Sequence, residues 1–435
     1  MDHNIPKLYY EYGKYINESR QFPLSTDGLR PVERRVLLSS YLLTKNKFVK
    51  SARIDGHTIG NYHPHGGTYG TLVQLVHQEF LIGQGNFGSN IGADSSPPAA
   101  SRYTEVKLHD KMIDLAFKNI DHVKWELNDL GEKEPVHLPV MFPLCLIGTR
   151  YIQGIGFGYK TFVPCYKIED LTKRLLWLLG KRKREPIIKP ITDCKITSPT
   201  SSLKELLTKG KGKINIEGVI VETPRNHSVI LKSWPPGRKF ETFLSKFSKE
   251  LENRDISWID LSSEETNIKF EVLKQRNKDS IYKAFLKKLK VAIKGNVPFE
   301  SIAVDSNSKV QLKSIDELLL ETYKMFNSIN KKVLQFNILK LQEKIDELKT
   351  LEKIKPFIPN VLVPNMNVEQ SIELLFQQSG VSKEKIKHLF SKYKINKLLT
   401  VSSDTTQISS EQNIHKTNLA NLDKFVINQY LEVVK

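Results

Sequence analysis

Residues 31–46, PVERRVLLSSYLLTKN, and residues 71–80, TLVQLVHQEF, decide how the N-terminal part of this chain folds. Pro31 suits a first helical position, and the apolar residues that follow recur at helical spacing. The second segment has the same spacing. Between the two lie ARIDGHTIG and NYHPHGG, which are polar and rich in turn-forming residues. Two short helices around a turn, beside cationic residues, indicate a helix-turn-helix or winged-helix unit, or another small α/β core.

The composition favours a polyanionic partner. The 435 residues include 66 Lys and Arg against 48 Asp and Glu, which is a net charge of +18. Such an excess is typical of nucleic-acid-binding proteins, although a surface that is lysine-rich throughout is the alternative. Two to four domains are expected from the length. No run of eighteen apolar residues and no secretory signal are found, so we expect a cytoplasmic protein.

The three cysteines predict neither a disulfide framework nor a zinc site. Cys145, Cys165 and Cys194 are odd in number and lack C-x-x-C spacing. His57, His63 and His65 include an H-x-H pair that can chelate a metal, but no acidic or cysteine ligand is close in sequence. We therefore predict no metal site in this chain.

The middle of the chain reads as a mixed α/β region. Residues 142–147, 212–222 and 228–234 have strand character, and residues 171–180 and 240–251 have helical character. Two basic runs, KRKRE (181–185) and KGKGK (209–213), are either solvated loops or cationic contacts for a partner.

A long helix is predicted over residues 331–355. Apolar residues follow heptad spacing there, and Pro356 and Pro359 end the segment. Because the repeat is too short for a free coiled coil, we expect packing against another helix. The C-terminal DKFVINQYLEVV (423–434) is the candidate partner. The heptad positions are Leu334, Ile338, Leu341, Ile345 and Leu348.

The glycines of GQGNFGS (83–89) have the G-x-G-x-x-G spacing of dinucleotide-binding folds. Such a fold, and an oxidoreductase function with it, needs a helix directly after the last glycine. The segment that follows, SNIGADSSPPAASRYTE, contains helix-breaking Gly92, Pro97 and Pro98. We therefore interpret the glycines as a stiff loop that leads to Arg102 and Tyr103.

The order of the motifs resembles the A-type (cleavage) subunit of type IIA DNA topoisomerases. That family includes the gyrase A subunit, topoisomerase IV and phage-encoded medium subunits, and the divergent loops here are most similar to the phage type. Weaker similarity continues through residues 154–164, 209–222 and 302–326. The motifs are SRQFPLSTDGLRPVERRVL (19–37), KSARIDGHTIGNYHPHGG (50–67), GQGNFGS (83–89) and ASRYTE (100–105).

The resemblance implies an α+β multidomain architecture. A winged-helix DNA-cleavage domain with a catalytic tyrosine would occupy residues 1–135. An α/β tower domain would follow over residues 136–325. A long coiled-coil arm with a dimer gate would occupy residues 326–435.

The resemblance also implies a phosphotyrosine mechanism. Tyr103 matches the tyrosine that attacks a DNA phosphodiester and stores the bond energy until the strand is resealed. Because a free phenol has a pKa near 10, a nearby cation helps, and Arg102 is adjacent. Arg20 matches an arginine that approaches the reactive phosphate. The expected enzyme is an ATP-dependent type II topoisomerase, an isomerase.

Further positions match DNA-contacting residues of the family. Gln84 and Asn86 offer hydrogen bonds to DNA or only brace their loop. Val163 falls where the family places a branched residue that wedges between base pairs; Phe162 is its rival, and a plain core valine is the alternative. The implied DNA-binding residues are Arg30, Arg35, Lys50, Arg53, His63, His65, Gln84, Asn86 and Val163.

Missing motifs define the expected partners. The sequence has no P-loop and no acidic D-x-D cluster of a Toprim domain. By resemblance, one or two separate subunits would bind ATP and hold Mg²⁺ with the Toprim carboxylates. One tyrosine per strand implies a homodimer acting on double-stranded DNA. With no β-propeller-like domain before residue 435, relaxation and decatenation are expected instead of supercoiling.

Two other classes of protein compete with this interpretation. A non-catalytic architectural DNA-binding protein could keep the same scaffold, and Arg102–Tyr103 in its motif context argues against it. A dinucleotide-dependent oxidoreductase is disfavoured by the helix-breaking sequence after Gly88.

Overall fold

The computed structural model describes residues 4–89, 96–149, 151–253, 255–263, 265–274, 276–363 and 366–434. Part of the glycine-rich loop prediction, residues 90–95, lies outside these ranges. The chain divides into two compact units, residues 1–326 with 434–435 and residues 327–433. The predicted three-domain division at 135 and 325 stays a prediction. Within the described ranges, helices that combine the length and apolarity of a membrane span are absent.

The N-terminal region combines helices with a small antiparallel sheet. The sheet has the strand order β1-β3-β2. Both helices predicted from the opening segments are present, as α2 and α4. The elements are α1 (Ile5–Ile16), α2 (Pro31–Thr44), β1 (Val49–Lys50), α3 (Ser51–Asn61), α4 (Tyr69–His77), β2 (Leu81–Gln84) and β3 (Glu105–Leu108).

Helix α3 lies where the sequence predicted turns. Its two glycines, Gly56 and Gly60, each weaken a helix by about 1 kcal/mol, which is why the segment looked irregular. The helix nevertheless buries Ile54 and Thr58, four residues apart on one face. Burial of that stripe against the N-terminal core outweighs the low local propensity.

A hairpin follows and leads into a five-stranded sheet. The sheet order is β6-β7-β14-β9-β8, and a second, four-stranded sheet has the order β10-β11-β13-β12. This mixed region confirms the α/β character predicted for the middle of the chain, but residues 142–147, predicted as a strand, contain the 3-10 turn Leu144–Leu146 instead. Its elements up to the second sheet are α5 (Asp110–Met112), β4 (Trp125–Leu127), β5 (Lys133–Pro135), β6 (Tyr151–Ile155), β7 (Lys160–Pro164), α6 (Ile168–Leu178), β8 (Lys195–Ile196), α7 (Thr200–Lys209) and β9 (Lys211–Glu217).

Helix α10 covers the buried face of the second sheet. Phe285 and Leu289 of that helix join an aromatic-rich core with Phe243 and Phe270. The remaining elements of this unit's sheets and helices are β10 (Ile220–Thr223), β11 (Ser228–Leu231), α8 (Phe240–Leu244), α9 (Ser248–Glu252), β12 (Ile256–Asp260), β13 (Ile268–Val272), α10 (Lys278–Ala292), β14 (Lys294–Glu300), β15 (Ile302–Val304) and β16 (Val310–Leu312).

The second unit is helical. The long helix is longer than predicted: it runs from Ile315 to Ile354 and ends at a 3-10 segment that contains Pro356 and Pro359. The helices are α11 (Ile315–Ile354), α12 (Val368–Ser379), α13 (Lys383–Lys392), α14 (Ile395–Leu398), α15 (Thr406–Ala420) and α16 (Leu422–Glu432).

Two C-terminal helices return along α11. The Gln429 amide of α16 donates to Asn330 Oδ1 at 3.0 Å, and the Gln412 amide of α15 donates to the Ile338 carbonyl at 3.2 Å. The predicted partner segment 423–434 therefore does pack on the heptad helix, and α15 adds a second contact. Of the heptad positions, Leu334, Ile345 and Leu348 are fully buried.

Candidate active site

Tyr103 is a solvent-exposed phenol at the end of a short 3-10 turn. The turn spans Ser101–Tyr103 and leads directly into β3. The Tyr103 side chain is 65% exposed. The Arg102 guanidinium carbon lies 4.6 Å from the centroid of its ring. The structure therefore places a nucleophile-bearing side chain and a cation side by side on the surface, and the catalytic roles expected of them stay predictions.

The backbone around Tyr103 is tightly braced although its side chain is exposed. The Ser51 amide donates to the Thr104 carbonyl at 2.9 Å, and the buried Thr104 hydroxyl donates to Ser51 Oγ at 2.8 Å. On the other side, the Tyr69 hydroxyl donates to the Ala99 carbonyl at 2.7 Å. These bonds fix the position of Tyr103 relative to the start of α3.

The glycine-rich loop wraps the same turn. Gly85 has a φ of +104°, and a β-carbon there would lie 3.2 Å from the Tyr103 carbonyl oxygen. Strand β2 precedes the loop, but it pairs with β3, with Gly83 opposite Val106. Asn86 Oδ1 accepts from the Gly88 amide at 2.8 Å, so Asn86 braces the loop. Gln84 is exposed. The absence of a side chain at Gly85 thus lets the loop backbone pass close to the backbone of Tyr103.

A second group of polar residues is built around His63. The Arg35 guanidinium donates to Glu134 through two bonds of 2.7 Å, and its Nη1 lies 3.2 Å from His63 Nδ1. The His63 and His65 rings are 5.3 Å apart and nearly perpendicular. Glu134, on β5, therefore orients an arginine that in turn orients a histidine.

The environment keeps His63 uncharged at neutral pH. Partial burial, followed by the charges of Arg35, His65 and Arg20, lowers the pKa of His63 to about 4. A neutral ring whose Nδ1 accepts from Arg35 carries its proton on Nε2. Nε2–H is then a hydrogen-bond donor that could meet a phosphate oxygen.

Arg20 belongs to the same group. Partial burial and the charges of Arg20 and Arg35 lower the pKa of His65. The charge of Arg20 thus acts on both histidines. Arg20 Nε is buried and has no hydrogen-bond partner within the described part of the chain.

The two groups lie at opposite ends of α3. Tyr103 adjoins the N-terminus of this helix through Ser51 and Thr104, whereas His63 follows its last residue, Asn61. Eleven helical residues separate the two ends by roughly 16 Å. Tyr103 and Arg102 thus form one group, and Arg20, Arg35, His63 and His65 form another.

The other predicted DNA-binding cations differ in their exposure and in whether they form ion pairs with acidic side chains. Arg30 is mostly buried: it forms a capping box with Glu33, and its guanidinium donates to the Glu33 carboxylate at 2.6 Å. Lys50 is exposed and lies 2.8 Å from Glu105. Arg53 is exposed on α3. Their contact with DNA stays a prediction, and Arg30 has the least charge to offer.

Val163 does not fit its predicted role as a wedge. It lies inside β7 opposite Ile152 and is only 1% exposed, so it is the core valine of the alternative interpretation. The rival Phe162 is also buried and stacks on Phe299. In the same hairpin, Ile155 at the end of β6 is 71% exposed. Strand alternation could not have signalled this, because β7 is buried on both faces from Thr161 to Pro164.

Sequence reasoning also missed two acidic partners. Asp27 is buried and accepts from Arg34 Nε at 2.7 Å and from the Leu138 amide at 3.0 Å. Glu134 holds Arg35 across 99 residues of sequence. The Arg35–Glu134 pair has no local sequence signal, because only the fold brings the two residues together, whereas Asp27 and Arg34 are seven residues apart in the chain.

A cation site cannot be assembled from the described residues. No group of three or more His, Cys, Asp or Glu side chains placed to hold a metal occurs among them. Among the described residues, Glu105 lies two positions after Tyr103, and its carboxylate already pairs with Lys50. His57 Nδ1 lies 3.0 Å from Ser39 Oγ. The residues around the tyrosine do not fit a Mg²⁺ ligand set.

Several known proteins have sequences similar to this chain. The DNA gyrase A subunit of Aminobacterium colombiense is 27% identical over 388 residues, which cover 82% of this chain and 46% of that protein. The DNA gyrase A subunit of Campylobacter jejuni is 37% identical over 197 residues, covering 42% and 22%. The DNA topoisomerase 4 A subunit of Synechocystis is 28% identical over 351 residues, covering 73% and 37%.

The chain spans less than half the length of these relatives. The sequence pattern of the DNA gyrase/topoisomerase IV A-subunit family matches residues 20–434. The match includes Arg20, the α3 region, Tyr103 and the helical unit. A match over almost the whole chain, joined to the exposed tyrosine and its arginine, shows that this chain belongs to the DNA gyrase/topoisomerase IV A-subunit family.

Proposed function

We propose that this chain is the DNA breakage–reunion subunit of a type II DNA topoisomerase, an isomerase, with Tyr103 as the nucleophile. The observation that carries the proposal is the exposed Tyr103 beside Arg102 on a braced turn. Relatives that are named as the A subunits of DNA gyrase and of DNA topoisomerase 4 support it.

The reaction is an exchange of phosphodiester bonds. The Tyr103 oxygen forms a bond to a DNA phosphorus atom, and the bond from that phosphorus to a deoxyribose oxygen breaks. The phenol loses its proton, and the released sugar hydroxyl gains one. Since one phosphodiester replaces another, the reverse step reseals the strand without an added energy source. Arg102 offsets charge at the tyrosine, and neutral His63 and Arg20 donate to phosphate oxygens.

The arrangement of the two groups favours action as a homodimer. In a dimer with twofold symmetry, Tyr103 of one copy can face the Arg20–His63 group of the other across a duplex. Two copies also supply one tyrosine for each strand. The separation of the two groups along α3 supports this assembly, in which each cleavage site would be shared by two chains.

The DNA-binding surface combines exposed cations with an apolar wedge. We assign contacts with the phosphate backbone to Arg35, Lys50 and Arg53, with Gln84 beside them. The wedge role predicted for Val163 passes to Ile155, whose branched side chain projects from a hairpin opposite Lys160. An inserted apolar side chain unstacks a base step and bends the duplex.

We also assign the domains expected from the family resemblance to larger parts of the fold. Helices α2–α4 with the sheet β1-β3-β2 act as a winged-helix cleavage domain, and the two larger sheets act as a tower that flanks the DNA. The α11, α15 and α16 helices act as an arm that carries the helices after residue 355 as a dimer gate.

Mg²⁺ and ATP would come with partner subunits. The residues around Tyr103 do not fit a metal site, and the sequence has no P-loop. We therefore propose one or two further subunits that carry Toprim carboxylates and an ATPase. In this proposal the chain itself positions the DNA, attacks the phosphorus atom and donates hydrogen bonds.

Detergent trapping tests the proposal. The chain is mixed with its ATPase and Toprim subunits, supercoiled DNA, Mg²⁺ and ATP, and covalent protein–DNA adducts are counted after denaturation. We expect adducts with the wild type and none with Tyr103→Phe. Tyr10→Phe, which changes another exposed tyrosine, is the matched control and should trap normally.

The outcomes separate the alternatives. Adducts that persist in Tyr103→Phe would contradict the choice of nucleophile. DNA binding and bending without any adduct or change of DNA topology, under conditions that activate a reference topoisomerase, would favour an architectural DNA-binding protein. The same gel shows whether the assembled enzyme relaxes, decatenates or supercoils DNA.

A further inference from the structure

The side chain of Asn17 joins the N-terminal helix to the tip of the β6–β7 hairpin. Its Nδ2 donates to the Phe157 carbonyl at 2.8 Å, and its Oδ1 accepts from the Phe157 amide at 2.8 Å. Asn17 is buried. One side chain thus satisfies both backbone groups of a residue 140 positions away, as a neighbouring β-strand would.

The surroundings are shaped for this contact. Gly156 has no room for a side chain, because a β-carbon would lie 2.3 Å from Asn17 Oδ1 and 2.7 Å from the Phe22 ring. The Phe157 ring lies against Gly13 of α1, with the rings of Tyr9 and Tyr12 at 5.7 and 6.1 Å. The small residues Gly156 and Gly13 therefore both allow the close packing that holds the hairpin tip in this position.

The contact lies next to the residue proposed as the wedge. Ile155 precedes Gly156, and the Gly156 amide closes the turn by donating to the Tyr159 carbonyl at 3.0 Å. Holding Phe157 by its backbone leaves Ile155 projecting into solvent. The Asn17 contact therefore holds the backbone two residues after Ile155.

The same short segment carries Arg20. Asn17 starts a π-helical turn, Asn17–Gln21, which follows α1 directly. Its last residue also touches the hairpin: a β-carbon on Gly154 would lie 2.9 Å from the Gln21 carbonyl oxygen. Arg20 lies between these two contacts in the chain, and its charge acts on His63 and His65. Irregular π-turns of this kind occur often at functional sites.

We infer that Asn17 is a positioning residue that couples DNA bending by Ile155 to the placement of Arg20 at the phosphate. The inference rests on the proposed function. Because the Asn17–Gln21 turn is bonded to the hairpin, the position of Arg20 relative to Ile155 is fixed. A duplex bent over Ile155 would therefore place the phosphate to be cleaved at a defined position relative to Arg20. Loss of the Asn17 bonds would separate the two events while DNA binding continues.

A substrate that bends easily distinguishes this role from a general loss of structure. The cleavage site is first mapped with the wild-type complex on a linear DNA fragment. Cleavage rates are then measured on two duplexes, one fully paired and one with a two-base mismatch at the step where Ile155 would enter. The variants are Asn17→Ala, Asn17→Asp and Ile155→Ala, and Asn413→Ala in the helical unit is the control.

On paired DNA we expect both Asn17 variants to cleave about tenfold more slowly, with DNA affinity within about twofold of wild type. Asn17→Asp keeps the side-chain size and the acceptor for Phe157 N–H, and it loses the donor. The mismatch should restore most of the rate in the Asn17 and Ile155 variants, because it lowers the energy of bending. Asn413→Ala should cleave both duplexes like the wild type.

Three results would overturn the inference. Wild-type rates in both Asn17 variants would show that the contact does not matter for cleavage. An equal loss on paired and mismatched DNA would show a role unrelated to bending. Rescue of Ile155→Ala but not of Asn17 variants would uncouple Asn17 from the wedge. Absence of adducts with the wild type itself would instead refute the proposed function.

Discussion

The residues of the His63 group show how neighbouring charges set what a side chain can do. Arg35 shares its charge with Glu134, and its contact with His63 helps to keep that ring neutral. A neutral histidine can donate from Nε2 without adding a charge that would hold the DNA too tightly. Exposed pairs such as Lys50–Glu105 contribute at most about 1 kcal/mol, so Lys50 can leave Glu105 for a phosphate.

The lowered pKa of His63 predicts a change in acid stability. Between pH 6.5 and about 4 the unfolded chain binds a proton at His63 and the folded chain does not, so falling pH favours unfolding. The wild type should therefore lose stability when the pH falls from 7 to 5. In His63→Gln, which has no titrating ring at this position, we expect the loss in free energy of unfolding to be smaller by about 1 kcal/mol. The difference is limited to this size because the ring is only partly buried. Urea denaturation at the two pH values measures this. Equal losses in both proteins would contradict it.

At the level of elements, Arg174 links helix α6 to the start of α11. Its side chain is fully buried and donates to the Asp316 carboxylate at 2.6 and 2.8 Å and to Glu185 at 2.9 Å. Its guanidinium also lies over the Trp177 ring at 4.4 Å. The first turn of α11 is thereby bonded to α6 within the first unit.

Removal of this link should destabilise the chain strongly. We expect Arg174→Met to lower the free energy of unfolding by about 3 kcal/mol, because two carboxylates lose a buried partner. Lys173→Met is the matched control: its exposed ion pair with Asp170 should contribute less than about 0.5 kcal/mol. Urea titration of both variants tests this. A loss of equal size at the two neighbouring positions would show that burial of the arginine is not the cause.

For the whole molecule, the net charge of +18 predicts DNA binding that weakens steeply with salt. Arg53 is exposed on α3, so it can contact a phosphate without first breaking a buried pair. We expect Arg53→Gln to reduce the slope of log affinity against log salt by about 0.9, the value for one phosphate contact. Lys385→Gln, on α13 of the helical unit, should leave the slope unchanged. Fluorescence anisotropy with duplex DNA at several salt concentrations measures both, and an unchanged slope in Arg53→Gln would remove Arg53 from the interface.

Much of the fold and part of the site could be predicted from local sequence. Helices α2 and α4, the heptad helix and its C-terminal partner all have periodic apolar patterns, which report a buried face directly. Helix α3 was not predicted because its two glycines lower the helix propensity, and the buried pair Ile54 and Thr58 is too short a pattern to show an apolar face. Val163 was assigned to DNA because a motif match does not tell which face of a strand a residue occupies.

By itself, the sequence determined the family, the adjacency of Arg102 and Tyr103 in their motif and the basic character of the chain, since these depend on residue identity and local order. Only the tertiary structure decided that Glu134 holds Arg35, that Ile155 projects where Val163 is buried, and that Asn17 binds Phe157. The reason is physical: these contacts join residues roughly a hundred or more positions apart or depend on which side of a sheet faces solvent, and neither leaves a local pattern.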